Sequence, residues 1–274
     1  MIIQKLSNTS FDEVLNCFLI AFENYYVKMP SDRNYYKERW EAAKVDFNLS
    51  YGMFDKGKLV GFLIHAIDKR KGNLTAFNTG TGVLPEYRGQ RIVNAMYKYA
   101  CNDLVQKGIK EIKLEVITEN KIAVRTYNSI GFEICKKFNC FNGTITLQKT
   151  LPLELIEIDA SEIKWGELPN QELYSWDNQK ESLLRGNYNY FQVLNDNVTE
   201  SFFIIKPESG YLAQLGLLNS KNTAGWERLF SAIKQISPTV KINNVDHRLE
   251  EKANHLTAMG LENWVNQYEM ELKL

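Results

Sequence analysis

The sequence predicts an α/β fold of the α+β kind, built on a mixed sheet and repeated once in a weaker copy. Three observations predict it. Strand-like and helix-like stretches follow one another through residues 2–149 in the order β-α-α-β-β-β-α-β-α-β-β. At residues 80–93 a strand runs through a corner carrying glycines and two arginines into a helix. After Leu151-Pro152 a similar succession of elements recurs in fainter form. A mixed sheet with helices on both faces is the layer arrangement that packs such an order.

Each element has a local reason. Residues 2–6 read as a short edge strand. Ser10 caps a helix in which Val14, Leu15, Phe18, Leu19 and Phe22 recur at helical spacing, and Glu13 completes a capping-box pattern. An aromatic connection, Tyr25-Tyr26-Val27-Lys28-Met29-Pro30, leads to a second helix over 33–45. Residues 49–54 and 58–68 read as strands joined by an Asp55-Lys56-Gly57 turn. Residues 74–83 form the next strand, in which Gly80 and Gly82 suit a bulge. The helix after Arg88 extends to Gln106 and stops at Gly108. Residues 111–117 read as a central strand, and Thr118 caps a helix over 119–130 closed by Gly131. Residues 132–138 and 144–149 form a closing strand pair about an Asn142-Gly143 turn.

The 274 residues leave room for one large domain or two of about 100–150 residues each. Lys+Arg and Asp+Glu both number 33, which gives no support for nucleic acid or a membrane surface as the main partner. Cys17, Cys101, Cys135 and Cys140 form no Cys-x-x-Cys pair, and there are three histidines, so neither a disulfide framework nor a metal site is expected. Buried, reduced thiols in a cytoplasmic protein are the simpler expectation. The N-terminus lacks a signal-peptide core, and no apolar run approaches the ~20 residues that cross a bilayer.

Two stretches carry chemistry. In Gly80-Thr81-Gly82-Val83-Leu84-Pro85-Glu86-Tyr87-Arg88-Gly89-Gln90-Arg91-Ile92-Val93, Arg88-Gly89 falls where a helix should begin. The first N–H groups of a helix lack internal partners and carry the positive end of its dipole, so this corner suits a phosphate or pyrophosphate. In Asn120-Lys121-Ile122-Ala123-Val124-Arg125-Thr126-Tyr127-Asn128-Ser129-Ile130-Gly131-Phe132, the residues Asn120, Ala123 and Tyr127 share one helix face. The first stretch closely resembles the acetyl-CoA pyrophosphate loop of the GNAT N-acetyltransferases, Val-x-Pro-x-x-Arg-Gly-x-Gly followed by an aliphatic residue. The second resembles that family's Asn-x-x-Ala-x-x-x-Tyr-x-x-x-Gly-Phe at every named position. The chain departs from the pattern at Arg91, where the family has glycine, and at Val93, where it has a small residue.

The resemblance implies acetyl-CoA as the acyl donor. Its diphosphate would lie on the backbone N–H groups of Arg88, Gly89, Gln90, Arg91, Ile92 and Val93. The backbone of Thr81, Gly82 and Val83 would face the pantetheine where two central strands splay, and the N–H of Val83 or Leu84 would polarise the thioester carbonyl. Asn120 would offer an amide to the donor, Ala123 would leave room for the pantetheine arm, and Tyr127 would protonate the departing thiolate as general acid. Many members place a glutamate base on the strand before the loop, but the strand over 74–83 has no acid. Asn78 there could orient a water, and Glu23, Glu115 and His65 are the other groups to consider, His65 as a structural histidine first. Tyr25, Tyr26 and Tyr35 fall where this fold lines its acceptor cleft. The implied activity is acetyl-CoA-dependent N-acetylation of a primary amine, on a small molecule or peptide, by direct attack. The alternative is a non-catalytic acyl-CoA-binding sensor or interaction module. A hydroxyl acceptor or a longer acyl donor also stays open.

The division expected is 1–150 for the GNAT domain and 151–274 for a degenerate GNAT-like domain. Residues 190–194, 201–206 and 211–218 read as its strands, 224–236 as the long helix, 240–245 as the central strand and 248–259 as the last helix. Placing Gly131-Phe132 over Gly260-Leu261 puts Leu256 in the place of Tyr127 and Leu249 in that of Asn120, with a strand pair following each glycine. The turn over 219–225 has no Arg-Gly corner and no preceding proline. The C-terminal half is therefore expected to be a non-catalytic support that extends the sheet, covers the acceptor cleft or mediates a homodimer.

Overall fold

The computed structural model describes residues 1–147, 151–218 and 224–274. The strand expected over 144–149 and the turn expected over 219–225 thus both lie partly outside the described residues. In chain order the elements are β1 (Ile2–Lys5), α1 (Phe11–Ala21), α2 (Arg33–Ala43), β2 (Tyr51–Asp55), β3 (Lys58–Arg70), β4 (Asn73–Val83), α3 (Ile92–Gln106), β5 (Glu111–Ile117), α4 (Lys121–Ile130) and β6 (Glu133–Thr144). They continue with β7 (Glu154–Ile158), α5 (Lys180–Leu183), β8 (Asn189–Asn195), β9 (Val198–Lys206), β10 (Tyr211–Leu217), α6 (Ala224–Ile236), β11 (Thr239–Asp246), α7 (Glu250–Ala258) and β12 (Glu262–Lys273).

The chain forms two compact units, residues 1–135 with 268–274, and residues 136–267. This differs from a division after residue 150, and β6 and β12 are the reason. Neither copy ends in a hairpin. Asn142 and Gly143, expected to turn, lie inside β6 and pair with Lys241 and Val240 of β11. Gly143 serves close approach instead, since a Cβ there would come within 2.8 Å of the Gly260 carbonyl oxygen. Tertiary pairing thus overrides a local turn signal. The strand pair expected after Gly260 is likewise one strand, β12.

In the first unit the strand order is β1-β2-β3-β4-β5 and then the end of β12, where the Leu274 N–H donates to the Lys110 carbonyl. The Ser10 hydroxyl caps α1 by accepting from the Glu13 N–H at 3.2 Å, one half of the expected box. Phe18 of α1 stacks on Phe62 of β3 and meets Tyr36 and Trp40 of α2 edge-on, with Phe18, Phe62 and Tyr36 fully buried. Burying one such ring contributes roughly 1.5–3 kcal/mol. Gly80 and Gly82 let α1 lie this close. A Cβ on Gly80 would meet Phe18 at 3.0 Å, and one on Gly82 would meet the Ala21 Cβ at 2.9 Å. α2 ends at Ala43, short of the expected 45, because Lys44 turns left-handed (φ 68°) and Val45 bridges to Ala66. Ile92, Met96, Tyr97, Ala100 and Leu104 form the buried face of α3.

The second unit has the order β7-β8-β9-β10-β11-β6. α6 spans the residues expected of it, and β8, β9, β10 and β11 match their expected strands to within a few residues. Where the first unit has α1 and α2, this one has single turns of 3-10 helix at 160–162, 165–167, 171–173 and 176–178 and the four-residue α5. None of the cysteines is in a disulfide; Cys17 and Cys140 are buried as expected, Cys101 is half-buried and Cys135, against expectation, is exposed.

Candidate active site

β4 and β5 run parallel and pair from Thr75↔Glu111 to Asn78↔Leu114. Both strands continue, β4 to Val83 and β5 to Ile117, but no further pair forms. The parting begins at a bulge. Against β3, Asn78 pairs with His65 and Gly80 with Ile64, so Thr79 is the extra residue. The bulge expected at Gly80 and Gly82 falls at Thr79 instead, and those glycines make room for α1.

Backbone direction alternates along β4 beyond the bulge. The Leu84 N–H donates to the Val60 carbonyl at 2.9 Å, which turns Gly82 and Leu84 toward β3 and leaves Thr81 and Val83 facing the parted edge. Of the four residues expected there, Gly82 and Leu84 are therefore engaged elsewhere, and Leu84 cannot hold an oxyanion. The Val83 carbonyl accepts from the Arg88 guanidinium at 3.2 Å.

Arg88 is a brace. Its N–H donates to the Pro85 carbonyl, closing the 3-10 turn Pro85–Tyr87, and its guanidinium also donates to the Ala21 carbonyl at 2.9 Å. It leaves the anion-binding set expected of it. α3 begins at Ile92, four residues later than Arg88, and its ladder starts with the Ala95 N–H on the Arg91 carbonyl. The N–H groups of Gly89, Gln90, Arg91, Ile92, Val93 and Asn94 precede that ladder, at the positive end of the helix. Gly89 (φ 78°) and Arg91 (φ 56°) are both left-handed. Arg91 thus takes up the conformation that the glycine of the family pattern would take, at roughly 1–2 kcal/mol. Its side chain is exposed, while Ile92 and Val93 pack into the core.

Asn120, not Thr118, caps α4, its Oδ1 accepting from the Ala123 N–H at 3.1 Å. The oxygen of the amide expected to serve a donor molecule is thereby engaged in the cap. The Tyr25 phenol lies against the Asn120 side chain, and the Tyr26 hydroxyl donates to the Glu119 carbonyl at 3.2 Å, so the α1–α2 connection is tied to the β5–α4 turn. Ala123 is half-buried. Tyr127 is 8% exposed, its phenol beside the Thr81 hydroxyl, and burial pushes its pKa up to about 12. It stays protonated at neutral pH. Thr81 in turn donates to the Asn78 Oδ1 at 2.9 Å. Tyr97 of α3 also points its hydroxyl toward Thr81, but no hydrogen bond of normal geometry reaches it among the described residues. Its ring meets that of Tyr127 edge-on at 6.2 Å. Nothing in the sequence separated Tyr97 from the core positions Ala100 and Leu104 at helical spacing from it.

His65 is fully buried, donates from Nδ1 to the Leu49 carbonyl at 2.8 Å, and is held by desolvation at a pKa of about 4, which makes it structural. Glu23 is exposed in the connection after α1, and Tyr35 is exposed on α2. Glu115 stands on β5 one residue past the last pair with β4.

The second unit repeats the parting of strands. β10 pairs with β11 at Tyr211↔Lys241, and β10 bulges against β9 at Ala213. Bulge on bulge, Leu215 stands where Thr81 stands and Gly216 where Gly82 stands. Lys252 of α7 takes the place of Ala123. Its ammonium donates to the Leu215 carbonyl at 2.8 Å and to the Tyr174 hydroxyl at 3.3 Å, and that hydroxyl donates to the same carbonyl at 3.3 Å. Lys252 and Tyr174 are both 7% exposed, and burial pulls the lysine down to about 8. Leu249 supplies no side-chain cap to α7, and Leu256 is fully buried.

Among the described residues no helix is long and apolar enough to cross a membrane, and no group of three or more His, Cys, Asp or Glu side chains could hold a metal ion. Residues 12–132 match the family model of the acetyltransferase (GNAT) family. No curated protein matches the sequence significantly. Among solved structures, a protein from Pyrococcus horikoshii is 13% identical, with a TM-score of 0.69 over 100% of this chain and 89% of its own. A tandem GNAT protein from the clavulanic acid biosynthesis pathway is 12% identical, with a TM-score of 0.68 over 99% and 97%. A GCN5-related N-acetyltransferase from Sphaerobacter thermophilus is 10% identical, with a TM-score of 0.66 over 99% and 95%. At these identities the likeness is one of fold.

Proposed function

Residues 12–132 being a domain of the GNAT acetyltransferase family, we propose that the protein transfers an acetyl group from acetyl-CoA to a primary amine of a small molecule or peptide. The observation that carries this reading is the parted edge of β4, with the backbone of Thr81 and Val83 turned outward, the Tyr127 phenol beside Thr81 and the open N-terminus of α3 at its end.

The diphosphate lies on the N–H groups from Gly89 onward, and the pantetheine pairs with the Thr81–Val83 edge as an added strand would. A sulfur within reach of Tyr127 lies near Thr81. The oxyanion donor is then the Thr81 N–H, in place of the Val83 or Leu84 N–H that the sequence suggested. A neutral amine attacks the acyl carbon, the C–N bond forms and the C–S bond breaks. Tyr127 gives its proton to the sulfur, and the proton lost by the amine returns to the phenolate through solvent. On this reading Glu115, at the first parted residue of β5, takes the amine proton first and passes it through solvent to the phenolate.

The second unit supports the fold and binds no acyl donor. The test is thiol release from acetyl-CoA over a panel of amines and peptides, beside calorimetric titration with CoA. Amine-dependent thiol release is the expected result. Binding without release under any amine would mark an acyl-CoA sensor, and no binding would refute both readings.

A further inference from the structure

Tyr127, Tyr97 and Asn78 all converge on one threonine hydroxyl. Thr81 donates to the Asn78 Oδ1, so its oxygen can only accept from the phenols in the resting protein. Asn78 is 5% exposed, and its Nδ2 has no partner among the described residues. The amide orientation follows from the network, because an Nδ2 facing Thr81 would leave two phenol donors and an amide donor competing for one oxygen. Tyr97 is fully buried, its hydroxyl is near Thr81, and it has no hydrogen-bond partner among the described residues. A buried polar network left partly satisfied is costly for the fold alone, typically about 1–3 kcal/mol for each unmatched group.

Resting on the acetyltransfer reading, we propose that Thr81 is a positioning residue acting through Tyr127, its hydroxyl a rotor that donates to Asn78 at rest and to the Tyr127 oxygen once that phenol has lost its proton to the sulfur. At rest the Tyr127 phenol lies beside the Thr81 hydroxyl, whose proton is on Asn78. As the C–S bond breaks, the Tyr127 O–H bond breaks and an S–H bond forms. The Thr81 O–H then turns from Asn78 to the new phenolate, and Tyr97 donates to a lone pair of Thr81. Tyr97 thus gains in the phenolate state a hydrogen bond that its hydroxyl lacks at rest among the described residues. When the amine proton returns to Tyr127 the rotor swings back.

Thr81→Val removes the hydroxyl and keeps the β-branched shape, and Thr81→Ser keeps the hydroxyl. With acetyl-CoA and the panel amine of highest rate, Thr81→Val should lower kcat about tenfold, the usual weight of one hydrogen bond to a charged oxygen, with the KM for acetyl-CoA within about twofold. Thr81→Ser should stay within about threefold of the parent. In a Tyr127→Phe background Thr81→Val should cause no further loss, since the Thr81 hydroxyl acts only through that phenol and the substitution keeps the backbone N–H. Independently of turnover, ring-labelled tyrosine NMR of the intact protein should show the Tyr127 and Tyr97 Cζ resonances move in Thr81→Val and stay near the parent in Thr81→Ser, with Tyr174 unmoved in both. A kcat within twofold in Thr81→Val, losses that multiply with Tyr127→Phe, or an unmoved Tyr127 resonance would each overturn the proposal. Absence of thiol release by the parent with every amine would sink the acetyltransfer reading, and the NMR result would then decide the network by itself.

Discussion

Along β4 the Thr81 edge of the parted strands is open, with half-buried Ala123 on the facing helix. Along β10 the matching Leu215 carbonyl already has two donors, the Lys252 ammonium and the Tyr174 hydroxyl. Both units keep the bulge and the parting, so these belong to the fold. What differs is who satisfies the exposed backbone. A parted parallel pair leaves peptide groups without partners, and a buried peptide group left so costs roughly 1–3 kcal/mol. In the first unit a ligand can meet that need. The second unit meets it from its own chain, and the ammonium at Leu215 stands in for the amide N–H that a pantetheine arm would bring.

Exchange experiments can break or sharpen this contrast. The largest effect is expected from Tyr127→Phe, which should lower kcat by about 10²-fold or more while leaving CoA affinity, read by calorimetry, close to the parent. Unchanged kcat would remove the phenol from the reaction. Ala123→Lys brings the plug of the second unit into the first. It should weaken CoA binding at least about tenfold without loss of helical signal, and unaltered affinity would show that the arm does not pass Ala123.

Lys252→Met leaves Tyr174 alone on the Leu215 carbonyl and should change the pH response of stability. The lysine titrates near 8 in the fold and at its higher ordinary value when unfolded. Between those values the unfolded chain holds the extra proton, so Lys252 should make parent stability rise with pH from about 8 to 10.5, and the slope should be smaller in Lys252→Met. Equal slopes in denaturant titrations of both proteins would mean that the ammonium is hydrated. The smallest effect is that of Arg91→Gly, which relieves a left-handed arginine and should raise stability by about 1 kcal/mol, visible as a higher denaturation midpoint.

Much of this was legible in the sequence where local signals and tertiary pairing agree. Ser10, Gly108 and Gly131 end or begin helices as their chemistry asks, and α6 fills its expected span. The Asn120–Tyr127 spacing placed a phenol correctly on the inner face of α4. The misses share a cause. Asn142-Gly143 has the composition of a turn, but its partner is β11, about a hundred residues away, and no local signal reports that. The Arg88 N–H, expected on the diphosphate, instead closes a turn on the Pro85 carbonyl, and its guanidinium holds the carbonyls of Val83 and Ala21. Tyr97 and Lys252 look like one core residue and one surface residue. Their meaning comes from a bulge whose position, at Thr79 and again at Ala213, is set by register with the neighbouring strand.

The membership of residues 268–274 in the first unit bears on how the protein is made. A chain emerging from the ribosome usually folds its leading domain first, at about 5–20 residues per second. Here the leading sheet waits for its last strand until about 130 further residues have been added, roughly 7–25 seconds at that pace. During that interval β5 offers a bare edge, which makes nascent chains the stage most exposed to mispairing, and removing the final seven residues should harm the unit that begins at Met1.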